Sequence, residues 1–127
     1  MDYFGQDKSH KLLIAGGRDF SNQALFGIKL LSYVEELPGD NGVSIITGLA
    51  RGADQMAHEF CINNSVLCHE FPANWDVYGK RAGFIRNAQM GEFADSALIF
   101  WDGSSRGTKH MIGFMKDQNK PVAVVYY

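Results

Sequence analysis

Five apolar runs alternate with helical stretches along the chain, and this alternation restricts the fold more than any other feature. The runs are KLLIAGG (11–17), VSIITG (43–48), SVLCHEF (65–71), SALIFW (96–101) and PVAVVYY (121–127). They are apolar almost throughout instead of alternating with polar residues. That composition is typical of strands whose two faces are both buried in a parallel sheet.

The segments between the runs predict helices at 21–37, 52–62, 78–94 and 108–118. The first of these has Ser21 or Asn22 as a candidate N-cap, and PGDNG ends it. Apolar residues recur along it at helical spacing and predict its buried face: Ala24, Ile28, Leu31 and Val34.

Parallel strands joined by right-handed helical crossovers predict an α/β fold. We expect a single Rossmann-like three-layer sandwich with a five-stranded parallel sheet in the order 3-2-1-4-5. The 127 residues suit one domain covering 1–127, with residues 1–10 as a candidate loose segment.

The composition is that of an ordinary soluble globular protein, with 46% apolar and 20% charged residues. The formal net charge of -2 provides no basic field, which disfavours a nucleic-acid partner or an anionic membrane. No secretion signal or membrane-spanning run is visible, so a cytoplasmic location is expected. In that compartment Cys61 and Cys68 are expected to be reduced thiols.

The histidines predict no metal site. His10, His69 and His110 are scattered along the chain without the spacing of metal ligands, and His58 lies in a predicted helix. We therefore expect no metal cofactor.

The unusual chemistry of the chain lies in the connections that follow the strands: GGRDF, TGLARGAD, FPANW and DGSSRGT. Ligands of doubly wound sheets bind beyond the carboxyl ends of the strands, where the strand order reverses. Glycines allow the backbone to approach a ligand closely, and helix N-termini suit phosphate. Any one of these loops is also explained as simple turn chemistry, but together they favour an anion site.

Arginines supply the positive charge that such a site needs. Arg18, Arg51 and Arg106 stand in three of the loops, and Arg86 is expected to reach the same rim from the third helix. The predicted ligand-binding residues are Gly16, Gly17, Arg18, Asp19, Thr47, Gly48, Arg51, Gly52, Asp54, Trp75, Arg86, Asn87, Asp102, Gly103, Ser104, Ser105, Arg106, Gly107 and Thr108. Trp75 either stacks on a base or closes the edge of the core.

AGGRDF, TGLARGADQMAHEF, FPANWDVYGKRAGFIRNAQM and DGSSRGTKHMI together resemble the SLOG superfamily of nucleotide-related proteins, and most closely its YspA-like branch. The resemblance covers Leu12 to Val125. TGLARGAD is also similar to the corresponding stretch of the DprA family of DNA-processing proteins. DGSSRGT occupies the place of the PGGxGTxxE motif of the LOG phosphoribohydrolases, which implies a phosphate-binding loop.

One departure from the LOG motif bears on catalysis. The glutamate that serves hydrolysis there follows the threonine by three residues, and that position is Met111 here. The catalytic residues are therefore unknown, and Asp19 and Asp102 are the candidate replacements. Each also has a structural explanation, because Asp102 can cap its loop, Asp19 can pair with an arginine and Asp54 can cap its helix.

Three functions follow from these residues. We expect a nucleotide or nucleotide-derived ligand, of ribose-phosphate, ADP-ribose or NAD-like type, bound by a sensor or sink. An N-glycosidic or phosphoribosyl hydrolase is the alternative, and a DprA-like binder of single-stranded nucleic acid is disfavoured by the charge. The resemblance also implies a homodimer or a higher even-numbered assembly.

Overall fold

The computed structural model describes residues 8–37, 39 and 41–127. Within them, five parallel strands form one sheet in the order β3-β2-β1-β4-β5. The strands are β1 (His10–Gly16), β2 (Val43–Thr47), β3 (Cys68–Glu70), β4 (Ser96–Trp101) and β5 (Val122–Tyr126). This confirms the α/β Rossmann-like class and the predicted strand order, with β1 and β4 adjacent at the centre.

Helices connect the strands. They are α1 (Gln23–Glu35), α2 (Ala53–Asn64), α3 (Trp75–Tyr78), α4 (Ala82–Phe93) and α5 (Arg106–Asp117), and a 3-10 turn, Gly79–Arg81, joins α3 to α4. Asn22 caps α1, because its Oδ1 accepts a hydrogen bond of 3.0 Å from the Leu25 N–H. Among the described residues, none of these helices is long and apolar enough to cross a membrane.

The sheet separates two hydrophobic cores. Leu12 and Ile14 of β1 face the core that α1 and α2 cover, whereas Leu13 faces the core that α4 and α5 cover. Successive side chains of a strand point to opposite faces, so a strand buried on both sides must be apolar at every position. This explains the continuous apolar runs of β1 and β4.

The buried face of α1 differs from the predicted one. Ile28 and Leu31 are 66% and 56% exposed, and Phe26 and Leu30 are buried in their place. Apolar residues surround much of this helix, so helical spacing alone fits more than one face. The contact with Phe100 selects the face that carries Phe26.

Two boundaries differ for reasons of backbone conformation. The predicted helix 78–94 is interrupted at Gly79, whose φ of +58° ends α3. The predicted strand 65–71 is only Cys68–Glu70, because α2 continues to Asn64 and Ser65 then adopts a left-handed conformation. After the turn at Ser65, the Leu67 carbonyl accepts a hydrogen bond from the Ile45 N–H of β2, and the strand itself begins at Cys68.

Part of the predicted N-terminal segment and of the PGDNG break lies outside the described residues. These are residues 1–7, together with Pro38 and Asp40. Residues 8–10 are described, and His10 begins β1. His10 therefore belongs to the sheet instead of to a loose segment.

Candidate functional site

A cavity of about 430 Å³ lies over the carboxyl ends of β1 and β4, where the strand order reverses. Its walls come from the four loops that the sequence singles out and from the start of α4. The lining residues are Ala15, Gly16, Gly17, Arg18, Asp19, Ala50, Asp54, Trp75, Lys80, Gly83, Phe84, Arg86, Asn87, Asp102, Ser105, Gly107, Thr108 and Met111.

One wall is the N-terminus of α5. Asp102 folds the preceding loop, because its Oδ1 accepts hydrogen bonds of 2.8 Å from the N–H groups of both Ser104 and Ser105. These two bonds also lower the pKa of Asp102. The first N–H groups of a helix lack partners within the helix, and the helix dipole adds partial positive charge there. Gly107 and Thr108 bring that first turn to the cavity.

Three cationic side chains line the cavity: Arg18, Lys80 and Arg86. Arg86 is held in place, since it donates to the Gly48 carbonyl at 2.7 Å and to Asn87 Oδ1 at 3.1 Å. Burial lowers the pKa of Arg86, but arginine remains protonated in proteins. The site therefore holds a fixed positive charge beside a helix N-terminus.

Asp54 is the buried acid of the site. Its carboxyl is 4% exposed and accepts a hydrogen bond of 3.3 Å from the Ala50 N–H instead of capping α2. Burial raises its pKa to about 6, although Arg86 opposes that rise. Thr47 is fully buried, and its hydroxyl donates to the Asp54 carbonyl at 2.9 Å. Thr47 thus holds the first turn of α2, which carries Asp54.

Asp19 pairs with the end of the chain. The Tyr127 hydroxyl donates to Asp19 Oδ1 at 2.6 Å, so the partner of this acid is a tyrosine and not the arginine that the sequence suggested. Burial and the Asp19 carboxylate raise the pKa of Tyr127. Tyr127 crosses directly over Gly17, where a Cβ atom would meet the tyrosine hydroxyl. Gly17 is therefore required for this contact.

Aromatic side chains form the opposite rim. Trp75 and Phe84 line the cavity and are 50% and 45% exposed. Gly83 lies between them in sequence, and a Cβ atom there would be 3.5 Å from the Trp75 ring. An exposed aromatic surface beside cationic groups suits a stacked base.

The structure brings most of the predicted site residues together. Those that line the main cavity are Gly16, Gly17, Arg18, Asp19, Asp54, Trp75, Arg86, Asn87, Asp102, Ser105, Gly107 and Thr108. Gly48 and Arg51 line an adjoining cavity of about 330 Å³ that shares Arg18, Trp75 and Arg86. Among the described residues, five predicted ones line neither cavity: Thr47, Gly52, Gly103, Ser104 and Arg106.

Those five have other positions. Gly52 has a φ of +78°, and a Cβ atom there would collide with the Gly17 carbonyl. Gly103 and Ser104 are exposed parts of the loop that Asp102 folds. Arg106 is exposed at the start of α5, so only three of the four predicted arginines lie at these cavities.

Lys80 and Phe84 were not predicted. They belong to the 3-10 turn and the first turn of α4. Their position just after the FPANW loop could have indicated their role. The helix that follows this loop also brings its N-terminus to the carboxyl edge of the sheet. Because the predicted helix 78–94 ran through Gly79 without a break, it did not show that a helix begins at this edge after Gly79.

Cys61 and Cys68 are free thiols away from the cavity. Burial raises the pKa of Cys61 to about 12, and it also raises the pKa of Cys68. Both groups are therefore thiols at neutral pH, and neither has the lowered pKa of a reactive nucleophile.

Comparison with known proteins supports the same relationships. The model of the family described as "YspA, cpYpsA-related SLOG family" matches residues 10–78. Gene 61 protein of Mycobacterium phage D29 is 30% identical over 120 residues, covering 88% of this chain and 93% of that protein. DNA processing protein A (DprA) from Streptococcus pneumoniae has a similar solved structure, with a TM-score of 0.72 and 18% identity. That similarity covers 92% of this chain but 50% of the DprA chain, so this chain spans about half the length of DprA.

Proposed function

Because the chain belongs to the YspA, cpYpsA-related SLOG family, we propose that it binds a nucleotide or nucleotide-derived ligand in the cavity over the carboxyl ends of β1 and β4. The ligand is of ribose-phosphate, ADP-ribose or NAD-like type. The protein then acts as a sensor or a sink for that compound and needs no metal for the binding itself.

One observation carries this proposal: a single cavity joins a helix N-terminus and the cations Arg18, Lys80 and Arg86 to an exposed aromatic surface. The first turn of α5 and the side chains of Arg18 and Arg86 offer donors for phosphate oxygens. Trp75 offers a face for the base. The volume of about 430 Å³ lies within the usual range for small-molecule sites.

The candidate catalytic acids favour binding over hydrolysis. Asp102 has a lowered pKa because two N–H groups hold its carboxylate, which makes it a weak base. Asp19 is engaged by Tyr127. Met111, at the position of the LOG glutamate, is a buried apolar part of the cavity wall.

Asp54 supports a second candidate function, the cleavage of an N-glycosidic or phosphoribosyl bond. A buried carboxyl with a pKa of about 6 is suited to general acid–base catalysis near neutral pH. Since Asp54 lines the same cavity as the cations, its position is compatible with protonating a leaving base. Asp54, instead of Asp19 or Asp102, is then the acid to test.

Native mass spectrometry of the purified protein tests the binding proposal, because a tightly held nucleotide would travel with it. We expect an adduct whose mass identifies a phosphorylated nucleoside, and we expect no base release when wild type is incubated with nucleoside monophosphates. Robust base release that disappears in Asp54→Asn would instead establish the second candidate function.

The proposal also covers the association of the chain with further copies of itself and with DNA. We propose a homodimer or a higher even-numbered assembly in the cytoplasm. We do not propose DNA binding, although the name of DprA refers to DNA processing, because the net charge of -2 is unfavourable for a phosphate backbone.

A further inference from the structure

A second group of polar side chains lies between α2 and the edge strand β3. His58 and Cys61 are three residues apart in α2, so they lie on the same face of the helix. Cys68 and Glu70 are two apart in β3, so they share a face of the strand. None of these four residues lines the nucleotide cavity or the adjoining one.

The distances within this group suit a metal ion. His58 Nδ1, Cys68 Sγ and a Glu70 carboxylate oxygen all lie within 4.8 Å of one another, and Nδ1 is 3.2 Å from Glu70 Oε2. Ligands about 2.0 to 2.3 Å from a tetrahedral zinc are separated from each other by about 3.3 to 3.8 Å. Small changes of side-chain rotamer would therefore bring His58 Nδ1, Cys68 Sγ and the Glu70 carboxylate to coordination distance from one ion.

The imidazole of His58 also lacks an ordinary hydrogen bond. Within the described part of the chain, its Nδ1 is the buried side-chain nitrogen or oxygen for which no hydrogen-bond partner is present, despite the nearby carboxylate. Glu70 Oε2 is close enough for an ion pair but makes no hydrogen bond to this buried nitrogen, and coordination to a cation would satisfy both atoms. The Cys61 side chain lies beside that of Cys68.

We propose that His58, Cys68 and Glu70 bind a divalent zinc-type ion that ties the edge strand β3 to α2. Imidazole, thiolate and carboxylate are the three ligand types that zinc takes from proteins, and the Cys68 thiol would release its proton to solvent when the ion binds. This proposal departs from the expectation drawn from histidine spacing, because the ligands come from two elements and only one of them is a histidine.

The role of such an ion would be structural. Strand β3 has three residues and pairs with β2 on one side only. An ion bound by Cys68 and Glu70 of β3 and by His58 of α2 would fasten this short edge in place. The inference is independent of the proposed nucleotide binding, since the two groups of residues are separate.

Metal titration of the tag-free, reduced, chelator-treated protein tests the proposal. Zn²⁺ in competition with a chromophoric chelator should bind with one equivalent per chain. Co²⁺ should give the thiolate charge-transfer absorption and the intense d–d bands of a tetrahedral site. A count of free thiols before each titration excludes a Cys61–Cys68 disulfide.

Variants assign the ligands. His58→Gln, Cys68→Ser and Glu70→Gln should each weaken Zn²⁺ binding by about 100-fold or more, since even indirect supports of a metal site are worth 10- to 100-fold. Glu70 is the first to replace, because its side chain is 45% exposed and the variant is expected to fold. His69→Gln is the matched control, since His69 packs against Phe93.

Two results would overturn the proposal. One is an affinity for Zn²⁺ that is unchanged by His58→Gln and Glu70→Gln, because this would mean that the thiols bind the ion alone. The other is an absence of Zn²⁺ and Co²⁺ binding by fully reduced wild type, which would leave His58 and Glu70 as an ordinary ion pair. Addition of a chelator should lower the melting temperature of the zinc-loaded wild type but not that of Glu70→Gln.

Discussion

Several residues of the cavity are fixed by protein contacts before a ligand binds. Arg86 is hydrogen-bonded to Gly48 and Asn87, Asp102 to the loop backbone, and Asp19 to Tyr127. Side chains that are already ordered lose little conformational entropy when they meet a ligand. The loops therefore form a preorganised site, in which the effect of a single substitution on ligand binding can be predicted.

Gly107 allows the ligand space to be tested without damage to the fold. It lies in the first turn of α5 at the cavity, and no heavy atom of the described residues lies within 4 Å of a Cβ atom placed there. We expect Gly107→Ala to stabilise the free protein by about 0.5 to 1 kcal/mol, because alanine is the better helix former. The same methyl group should weaken the proposed nucleotide binding, since it enters the space that we assign to a phosphate group.

Gly113→Ala is the matched control for that experiment. Gly113 lies in the same helix, has equally open space, and is not part of the cavity. The Gly113→Ala substitution should raise the melting temperature of the protein and leave its affinity for nucleotides unchanged. Equal affinities of the two alanine variants for every nucleotide tested would remove α5 from the binding site.

Asp54 predicts a pH dependence of stability. Its pKa rises from 3.8 to about 6 on folding, so the folded state binds the extra proton between these values. The free energy of unfolding should therefore fall as pH rises from about 4 to 6, by up to about 3 kcal/mol from this group. Asp54→Asn should lack that component in urea titrations at pH 4, 5, 6 and 7.

The titration of Asp102 does not contribute to the change in stability between pH 4 and 7. Its pKa is lowered, so its stabilising contribution is present above its ordinary pKa of 3.8 and is lost only as pH falls below that value. The difference between wild type and Asp54→Asn thus isolates Asp54. A difference that does not change between pH 4 and 7 would mean that this carboxyl is not buried in solution.

At the scale of the elements, two loops pack backbone to backbone below the cavity. Gly52, at the start of α2, meets the Gly17 carbonyl and the Arg18 backbone of the loop after β1. Gly16 is similarly close to the Phe100 carbonyl of β4. Gly52 serves the contact between the two loops and Gly16 the pairing of β1 with β4, whereas the space at Gly107 is open among the described residues.

Gly52→Ala should therefore be strongly destabilising. A side chain at its φ of +78° costs about 1 to 2 kcal/mol, and the collision with Gly17 adds to that. Gly103→Ala provides the comparison, since Gly103 has a φ of +88° but open space around it. Thermal or urea unfolding should show a clearly larger loss for Gly52→Ala; equal losses would contradict the close packing of the two loops.

The elements were predictable where one physical rule decides them. Strands buried on both faces must be apolar, so the run SALIFW predicted both ends of β4 correctly. The buried face of α1 was not predictable, because apolar residues surround the helix and the contact of Phe26 with Phe100 is made only in the folded sheet. The start of α4 depended on the conformation of Gly79, and the cavity side chains Lys80 of the 3-10 turn and Phe84 of α4 were missed with it.

At the scale of the whole molecule, the strand order itself creates the site. Because β1 and β4 are neighbours, loops from distant parts of the sequence meet above them. The sequence could predict this meeting from the crossover rules. It could not predict which arginines enter it, since Arg106 and Arg18 occupy similar motifs and only Arg18 lines the cavity.

Association is a second property of the whole molecule. The exposed apolar residues Ile28 and Leu31 of α1 are available for contact with a second copy. We expect light scattering at micromolar concentration to give the mass of a homodimer or a higher even-numbered assembly. The double variant Ile28→Glu, Leu31→Glu should be monomeric if α1 forms the contact. A monomeric wild type would contradict the prediction of an assembly.

Calorimetric titration of wild type, Arg18→Ala and Arg106→Ala with ADP-ribose and a panel of nucleotides tests the central claim most directly. Hydrogen bonds to charged groups contribute about 1.5 to 3 kcal/mol, so Arg18→Ala should weaken binding of the preferred ligand by about tenfold or more. Arg106→Ala, although its loop motif suggested the same loss, should bind nearly as wild type does because Arg106 lies outside the cavity lining. If wild type binds none of these ligands, or if Arg18→Ala binds them as tightly as wild type, the cavity over the carboxyl ends of β1 and β4 is not a nucleotide site.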